Sequence, residues 1–277
     1  MKAKFTNSIV VTKGLHYTIQ SCRFGALTAN LKLMSDTRKP FVDVCLSPLL
    51  FNLFDASQAI VVVIDVLRAT SSICVAFTHG AECLVPVSTV EESMRFKEKG
   101  YLIGAERQGE MLEGFDFGNS PFSYMDEKIK GSKIALSTTN GTRALNIAKS
   151  AHTVVIGSFL NLDILCDYLI AQNRDVICLC SGWKNSVNLE DTLLAGAIVE
   201  KLKGNFDFSD LRDTAIMAKH LYKGAKDDMY GYLENSSHRK RLERLHINDD
   251  ILYCLTPNTA SVVPVLKGDT LFPVFEF

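Results

Sequence analysis

The stretch Ala59–Val66, A-I-V-V-V-I-D-V, constrains the fold more than any other part of the chain. A strand with one wet face alternates apolar and polar residues. An unbroken β-branched run marks a strand buried on both faces, central in a parallel sheet. Such a strand needs helices on both sides, and the flanking sequence supplies them. Strand-like Phe41–Leu46, Cys83–Val87, Tyr101–Gly104, Lys133–Leu136, Thr153–Ile156 and Asp175–Cys180 alternate with helix-like Thr70–His79, Val90–Lys99, Thr142–Lys149, Leu162–Ala171 and Leu189–Lys203. That rhythm predicts an α/β protein with a mainly parallel sheet. Beyond Phe208 the pattern turns helical and charged to about Leu245, a helical C-terminal elaboration, and Ser261–Leu266 reads as a last strand at a sheet edge. Thr70, Ser71 or Ser72 can cap the first helix, and Ser88 or Thr89 the second, which Gly100 closes. Ala105–Tyr124 reads as a long loop.

The 277 residues contain no run of about 18 apolar residues, so no membrane partner is expected. The net charge of −1 hides an asymmetry. Residues 1–33 hold Lys2, Lys4, Lys13, Arg23 and Lys32 and no acid, which leaves 25 basic and 31 acidic side chains, or −6, on the remainder. A body of that charge is no general nucleic-acid binder. Local arginines and backbone dipoles would have to hold any anionic ligand. Residues 1–33 read as a basic leader outside the native start, with Met34-Ser35-Asp36 opening a single domain over 34–277. A transit peptide shares their traits, whereas Thr6, Asn7, Ser8, Thr12 and Lys13 interrupt the core that a secretory signal needs. Of the eight cysteines, Cys178 and Cys180 alternate within a strand pattern, and Cys74 and Cys166 lie in helical ones. With no C-x-x-C pair, they read as reduced, buried thiols of a cytoplasmic protein.

Ligands of open α/β sheets sit outside the carboxyl ends of the strands, and four junctions there are unusually polar. Asp65-Val66-Leu67-Arg68-Ala69-Thr70 leaves the most apolar strand; its Asp suits a cation or a proton, and its Arg can fork an oxyanion. Gly104-Ala105-Glu106-Arg107 continues to Gly114-Phe115-Asp116-Phe117-Gly118-Asn119-Ser120-Pro121, where glycines permit close backbone approach. Ser137-Thr138-Thr139-Asn140-Gly141-Thr142-Arg143 sets hydroxyls, amides and a guanidinium at a helix start, an anion nest. The fourth, Ser181–Asp191, holds the only Trp and ends in two acids; with Asp65, Asp191 can contribute to a hard-cation site such as one for Mg²⁺. Each also has a plainer reading: an Asp–Arg pair, an Asx turn, a capped helix, acids on a helix dipole.

Walker, thiolate-phosphatase, D-x-D-x-[TV], H-E-x-x-H and G-x-S-x-G signatures are missing, and the histidines read as structural or surface residues. The residues alone thus describe an arginine- and amide-rich site for a strongly anionic small molecule, suited to phosphate-ester chemistry. The motifs D-V-L-R-A-T (65–70), G-A-E-R (104–107), G-F-D-F-G-N-S-P (114–121), T-T-N-G-T-R (138–143) and L-E-D at Asp191, in this order, resemble the 2-phosphosulfolactate phosphatase family. Ser237–Leu242 and Val263-Pro264-Val265 resemble its ending. Ala105 departs from the usual G-E-R, and the leader has no counterpart. The resemblance implies a three-layer α/β/α fold with a mixed sheet, a cytoplasmic homodimer, and Mg²⁺-dependent hydrolysis of phosphosulfolactate to sulfolactate in coenzyme M synthesis. It implies catalytic roles for Asp65, Arg68, Arg107 and Asp191, metal ligation by Asp65, Asp191 and then Glu106, and substrate contacts from Thr70, Asp116, Asn119, Ser120, Thr138, Thr139, Asn140, Gly141, Thr142 and Arg143. An anion sensor of the same fold without turnover, or a phosphatase for another phosphorylated hydroxy acid, are the competing expectations.

Overall fold

The β-branched run folds as the sequence predicts: Ile60–Ile64 is a strand with all five residues buried, flanked on both sides by parallel neighbours. The computed structural model describes residues 38–107, 110–209 and 211–277, so the reading of 1–33 as a leader lies outside the described residues. In chain order the strands and α-helices are β1 (Val42–Cys45), β2 (Ile60–Ile64), α1 (Ala69–Thr78), β3 (Cys83–Val87), α2 (Val90–Lys97), β4 (Leu102–Arg107), β5 (Glu110–Met111), β6 (Lys133–Ser137), α3 (Asn140–Ala148), β7 (Thr153–Gly157), α4 (Leu162–Gln172), β8 (Val176–Cys180), α5 (Leu189–Lys201), α6 (Asp213–Ala225), α7 (Met229–Tyr232), α8 (Ser237–Glu243), α9 (Asn248–Cys254), β9 (Val263–Lys267) and β10 (Thr270–Val274).

Alternation along β2 builds two cores. Ile60, Val62 and Ile64 join Leu165 and Leu169 of α4 and Leu193, Leu194 and Ile198 of α5. Val61 and Val63 join Ile73 and Phe77 of α1 and Ala144 and Leu145 of α3. Helices therefore cover both faces of one mixed ten-stranded sheet, ordered β1-β8-β2-β7-β9-β10-β3-β6-β4-β5. Burying each large aliphatic side chain contributes about 1.5–3 kcal/mol. Two parallel blocks, β1-β8-β2-β7 and β3-β6-β4, stand either side of the antiparallel hairpin β9–β10.

Four expectations are corrected. The last strand is not at an edge: β9 lies mid-sheet with β10, which sequence reading missed. The stretch from Ala105 is no loop at its start, because β4 runs on to Arg107 and pairs antiparallel with β5. Helix α3 starts at Asn140 rather than Thr142. The hydroxyls of Thr70, Ser71 and Ser72 do not cap α1, whose N-cap is Arg68, with no side-chain bond to the helix's first amides; Ser71 Oγ donates to the Val66 carbonyl and Ser72 Oγ to that of Asn119, so they tie the helix to neighbouring loops. The cap of α2 is as expected: Thr89 accepts the Glu92 N–H, and Gly100 has φ +83°. Cys45, Cys74, Cys83, Cys166, Cys178, Cys180 and Cys254 are free and buried, and burial pushes the Cys45 thiol up to about 11, which suits inert packing.

Helices α5 and α6 touch backbone to backbone at Gly196, where a Cβ would lie 2.0 Å from the Ala218 carbonyl oxygen. Gly196→Ala must push the helices apart, a cost of about 3 kcal/mol. A fall in the urea midpoint at constant slope is expected; an unchanged midpoint would show that the helices separate freely.

Candidate active site

Asp65 stands directly after β2, and a hydrogen-bonded turn fixes its backbone. The Asp65 N–H donates to Thr70 Oγ1 at 3.2 Å, and the Thr70 N–H returns to the Asp65 carbonyl at 3.0 Å. The Asp65 carboxylate rests against Gly141, where an added Cβ would meet Asp65 Oδ2 at 3.2 Å, Thr138 Oγ1 at 3.1 Å and Ala69 Cβ at 3.2 Å. The missing side chain is what lets the first turn of α3 approach the end of β2. Burial pushes Asp65 up to about 6, with Glu190 and Glu106 adding to the rise and His238 and the Ala69 amide opposing it.

Asp191, in the first turn of α5, is also buried. Its Oδ1 accepts the Val66 N–H at 2.9 Å and its Oδ2 the Gly182 N–H at 3.0 Å, which ties together the loops leaving β2 and β8. Burial, then Glu190 and Asp65, raise Asp191 well above the usual carboxylate range against those two amides.

Arg68 is buried and already engaged: Nη1 donates to Asp250 Oδ2 on α9, and Nη2 stands 3.6 Å from Glu106 Oε2 at the end of β4. Ser120 Oγ donates to the other Asp250 oxygen at 2.9 Å. Thus residues from separate junctions join in one chain of contacts: Arg68 bridges Glu106 and Asp250, and Asp250 reaches on to Ser120. Glu190 and His238 form a further buried pair, Nδ1 to Oε1 at 2.5 Å, and Glu190 Oε2 has no hydrogen-bond partner among the described residues. Sequence reading missed Asp250, Glu190 and His238. The acidic pair opening α5 was the only hint of Glu190.

A cleft of about 570 Å³ opens beside this cluster, within the usual range for small ligands. Glu106, Thr138, Thr139, Thr142 and Arg143 line it, with Ser88 and Asn146, which were not anticipated. Thr139, at the N-cap of α3, makes no side-chain cap bond, and Thr138 Oγ1 takes the Thr142 N–H at 3.2 Å. Asp65, Arg68, Thr70 and Asp191 are buried and do not line the cleft. Asp116 accepts the Ile103 N–H at 2.9 Å and binds its loop to β4, while the Asn119 carbonyl accepts from Ser72. The Arg107 side chain lies outside the described residues. Among the described residues, no three His, Cys, Asp or Glu side chains converge on a metal centre built from protein ligands alone, and no helix is long and apolar enough to cross a membrane.

A family model described as 2-phosphosulpholactate phosphatase matches residues 46–269, a span holding all of these groups. The chain belongs to the 2-phosphosulfolactate phosphatase family. Its relatives include a probable 2-phosphosulfolactate phosphatase of Caldanaerobacter subterraneus, 41% identical over 218 residues, covering 77% of this chain and 90% of the relative. Another from Thermotoga maritima is 42% identical over 216 residues, 78% of this chain and 92% of the relative. A third, from Clostridium acetobutylicum, is 36% identical over 206 residues, 73% and 87%. Membership places the chain among phosphoric monoester hydrolases, and the strand-end motifs of 65–70, 104–107, 114–121 and 138–143 all fall within the matched span.

Proposed function

We propose that the chain hydrolyses 2-phosphosulfolactate to sulfolactate and phosphate with Mg²⁺. The observation that carries this reading is the approach of the α3 N-terminus, through Gly141, onto the Asp65 carboxylate beside a cleft lined by hydroxyls, Arg143 and Glu106. Thr138, Thr139 and Thr142 hydroxyls and the first amides of α3 would orient the phosphoryl group, with Arg143 at the rim offering charge. Arg68 would hold Glu106 in place through its ion pair, while Asp250 and Ser120 hold Arg68. Asp191 would keep the loops after β2 and β8 in register through its two amide bonds.

The acid cluster suits a divalent cation. A carboxyl that burial raises to about 6 carries a poorly solvated charge at neutral pH that a nearby cation would offset, and the unpartnered Glu190 oxygen lies alongside. Asp65 and Glu106 would hold the ion, since Mg²⁺ is often bound by one or two carboxylates with water and phosphate oxygens. Bound there, it supplies neutralisation of charge on the phosphoryl oxygens. With this reading go a cytoplasmic location, a homodimer and a place in coenzyme M synthesis.

Phosphate release from 2-phosphosulfolactate, followed with and without EDTA, tests the reading. Turnover that chelator abolishes and Mg²⁺ restores is expected. Equal turnover in chelator would overturn the metal role. Ligand-dependent thermal stabilisation without phosphate release would make the chain a sensor.

A further inference from the structure

Where the β8–α5 loop meets α8 lies a cation that the phosphoryl reading leaves unused. The Arg241 guanidinium lies over the Trp183 indole, 4.2 Å from the ring centroid, with Lys184 Nζ 4.6 Å from the same centroid. Both supports are fixed to the acid cluster. Trp183 and Ser186 exchange backbone bonds of 3.0 and 2.9 Å in a tight turn, and the preceding Gly182 N–H is tied to Asp191, which holds Val66 beside Asp65. That turn admits only glycine at 182: φ is +60°, and a Cβ would lie 2.2 Å from the Ser186 carbonyl oxygen. Helix α8 is anchored from the other side by His238 on Glu190. Arg241, three residues on, shares that face of the helix.

Arg241 is half-buried, and among the described residues its guanidinium makes no hydrogen bond or ion pair; the indole is its partner. A guanidinium carries five donors in a rigid fork. Held over a ring and with no hydrogen-bond partner among the described residues, it is prepared to receive an oxyanion. Burial pulls it below its ordinary range, while Glu106, Glu190 and Asp65 pull it back, so it stands within the field of the site's carboxylates.

We infer that Arg241, held over Trp183, forms a second anion subsite that takes the non-transferred sulfonate of the substrate. This rests on the phosphatase reading and deepens it. The subsite stands on α8 and the Ser181–Asp191 loop, whereas the hydroxyls assigned to the phosphoryl group stand at the junction of β6 and α3. A substrate with anions at both ends would thus be gripped from two sides of the Asp65 cluster. A weakly hydrated, three-oxygen sulfonate suits a partly desolvated guanidinium backed by an indole better than a compact, strongly hydrated group does.

The test compares 2-phosphosulfolactate with 2-phospholactate, which has a methyl group where the former carries its sulfonate-bearing carbon, in the wild type, Arg241→Met and Trp183→Leu. Arg241→Met is expected to raise KM for 2-phosphosulfolactate about 30-fold, the worth of a charge-assisted bond, with kcat and all constants for 2-phospholactate unchanged. Trp183→Leu should move the same KM by about fivefold, as a lost cation–π contact would. Equal losses on both substrates, or none on either, would overturn the subsite. If the wild type releases no phosphate, the phosphatase reading fails and the subsite is judged by binding of 3-sulfolactate alone. A thermal shift lost in Arg241→Met supports it, and a shift preserved in that variant overturns it.

Discussion

Asp65→Asn is expected to yield a protein that is more stable in EDTA than the wild type and that releases phosphate at least about a hundredfold more slowly. Both effects have one cause. Burial, reinforced by Glu190 and Glu106, raises Asp65 from 3.8 to about 6. A carboxyl whose folded pKa lies above its unfolded one stabilises the fold fully below the unfolded value and loses that contribution as pH rises through the folded value. Above about pH 6 the chain therefore carries a buried charge that folding disfavours, worth about 3 kcal/mol for a shift of this size. Asn keeps the shape and an acceptor for the Ala69 amide without the charge. In EDTA at pH 8 the variant should melt several degrees higher. Its advantage should shrink as pH falls through 6 and be gone near 4. Mg²⁺ should raise the wild-type melting temperature and leave the variant's where it was. A variant less stable than the wild type at pH 8 would mean that the site neutralises Asp65 by itself and has no need of a cation.

β2 could be read directly, because burial on both faces leaves an unbroken apolar run and no helix-length period. The hairpin β9–β10 could not. Each of its strands contains a proline, Pro264 and Pro273, paired with one another, and each removes a ladder donor. Such strands read as edges. Here the hairpin is central, and its pairings to β7 and β3 are single-residue contacts, Val155 with Val265 and Leu84 with Leu271, that ask little of the ladder.

The site divides in the same way. Asp65, Arg68, Glu106 and 138–143 were legible because strand ends gather polar residues locally. Their partners were not, since Asp250 is 182 residues from Arg68, and His238 is 48 from Glu190. Nothing in the local pattern of α8 or α9 marks them, and only the fold brings the C-terminal helices to the carboxyl end of β2. The role of Asp191 was half visible: its place at a helix start could be read, but its two amide bonds to other strands' loops could not.

Arg68→Met should unfold far more easily than the wild type, by about 3–5 kcal/mol, because removing one partner strands the other's buried charge. Asp250 is 5% exposed and would keep the Ser120 hydroxyl while losing the guanidinium; Glu106 would lose its cation 3.6 Å away. The double variant Arg68→Met/Asp250→Leu removes both charges, and a buried pair replaced by apolar groups of similar size is often neutral for stability. Chemical denaturation should show the double variant recovering most of the loss, and the cycle should give a coupling of about 2 kcal/mol or more. Turnover should not return with stability, because Glu106 would still lack the group that holds it at the cleft. A double variant that is stable and also active would reduce Arg68 to a structural counter-charge. One as unstable as Arg68→Met alone would show that the guanidinium's weight falls on Glu106 rather than Asp250. These outcomes separate an arginine that maintains the fold from one that aims a carboxylate at the substrate.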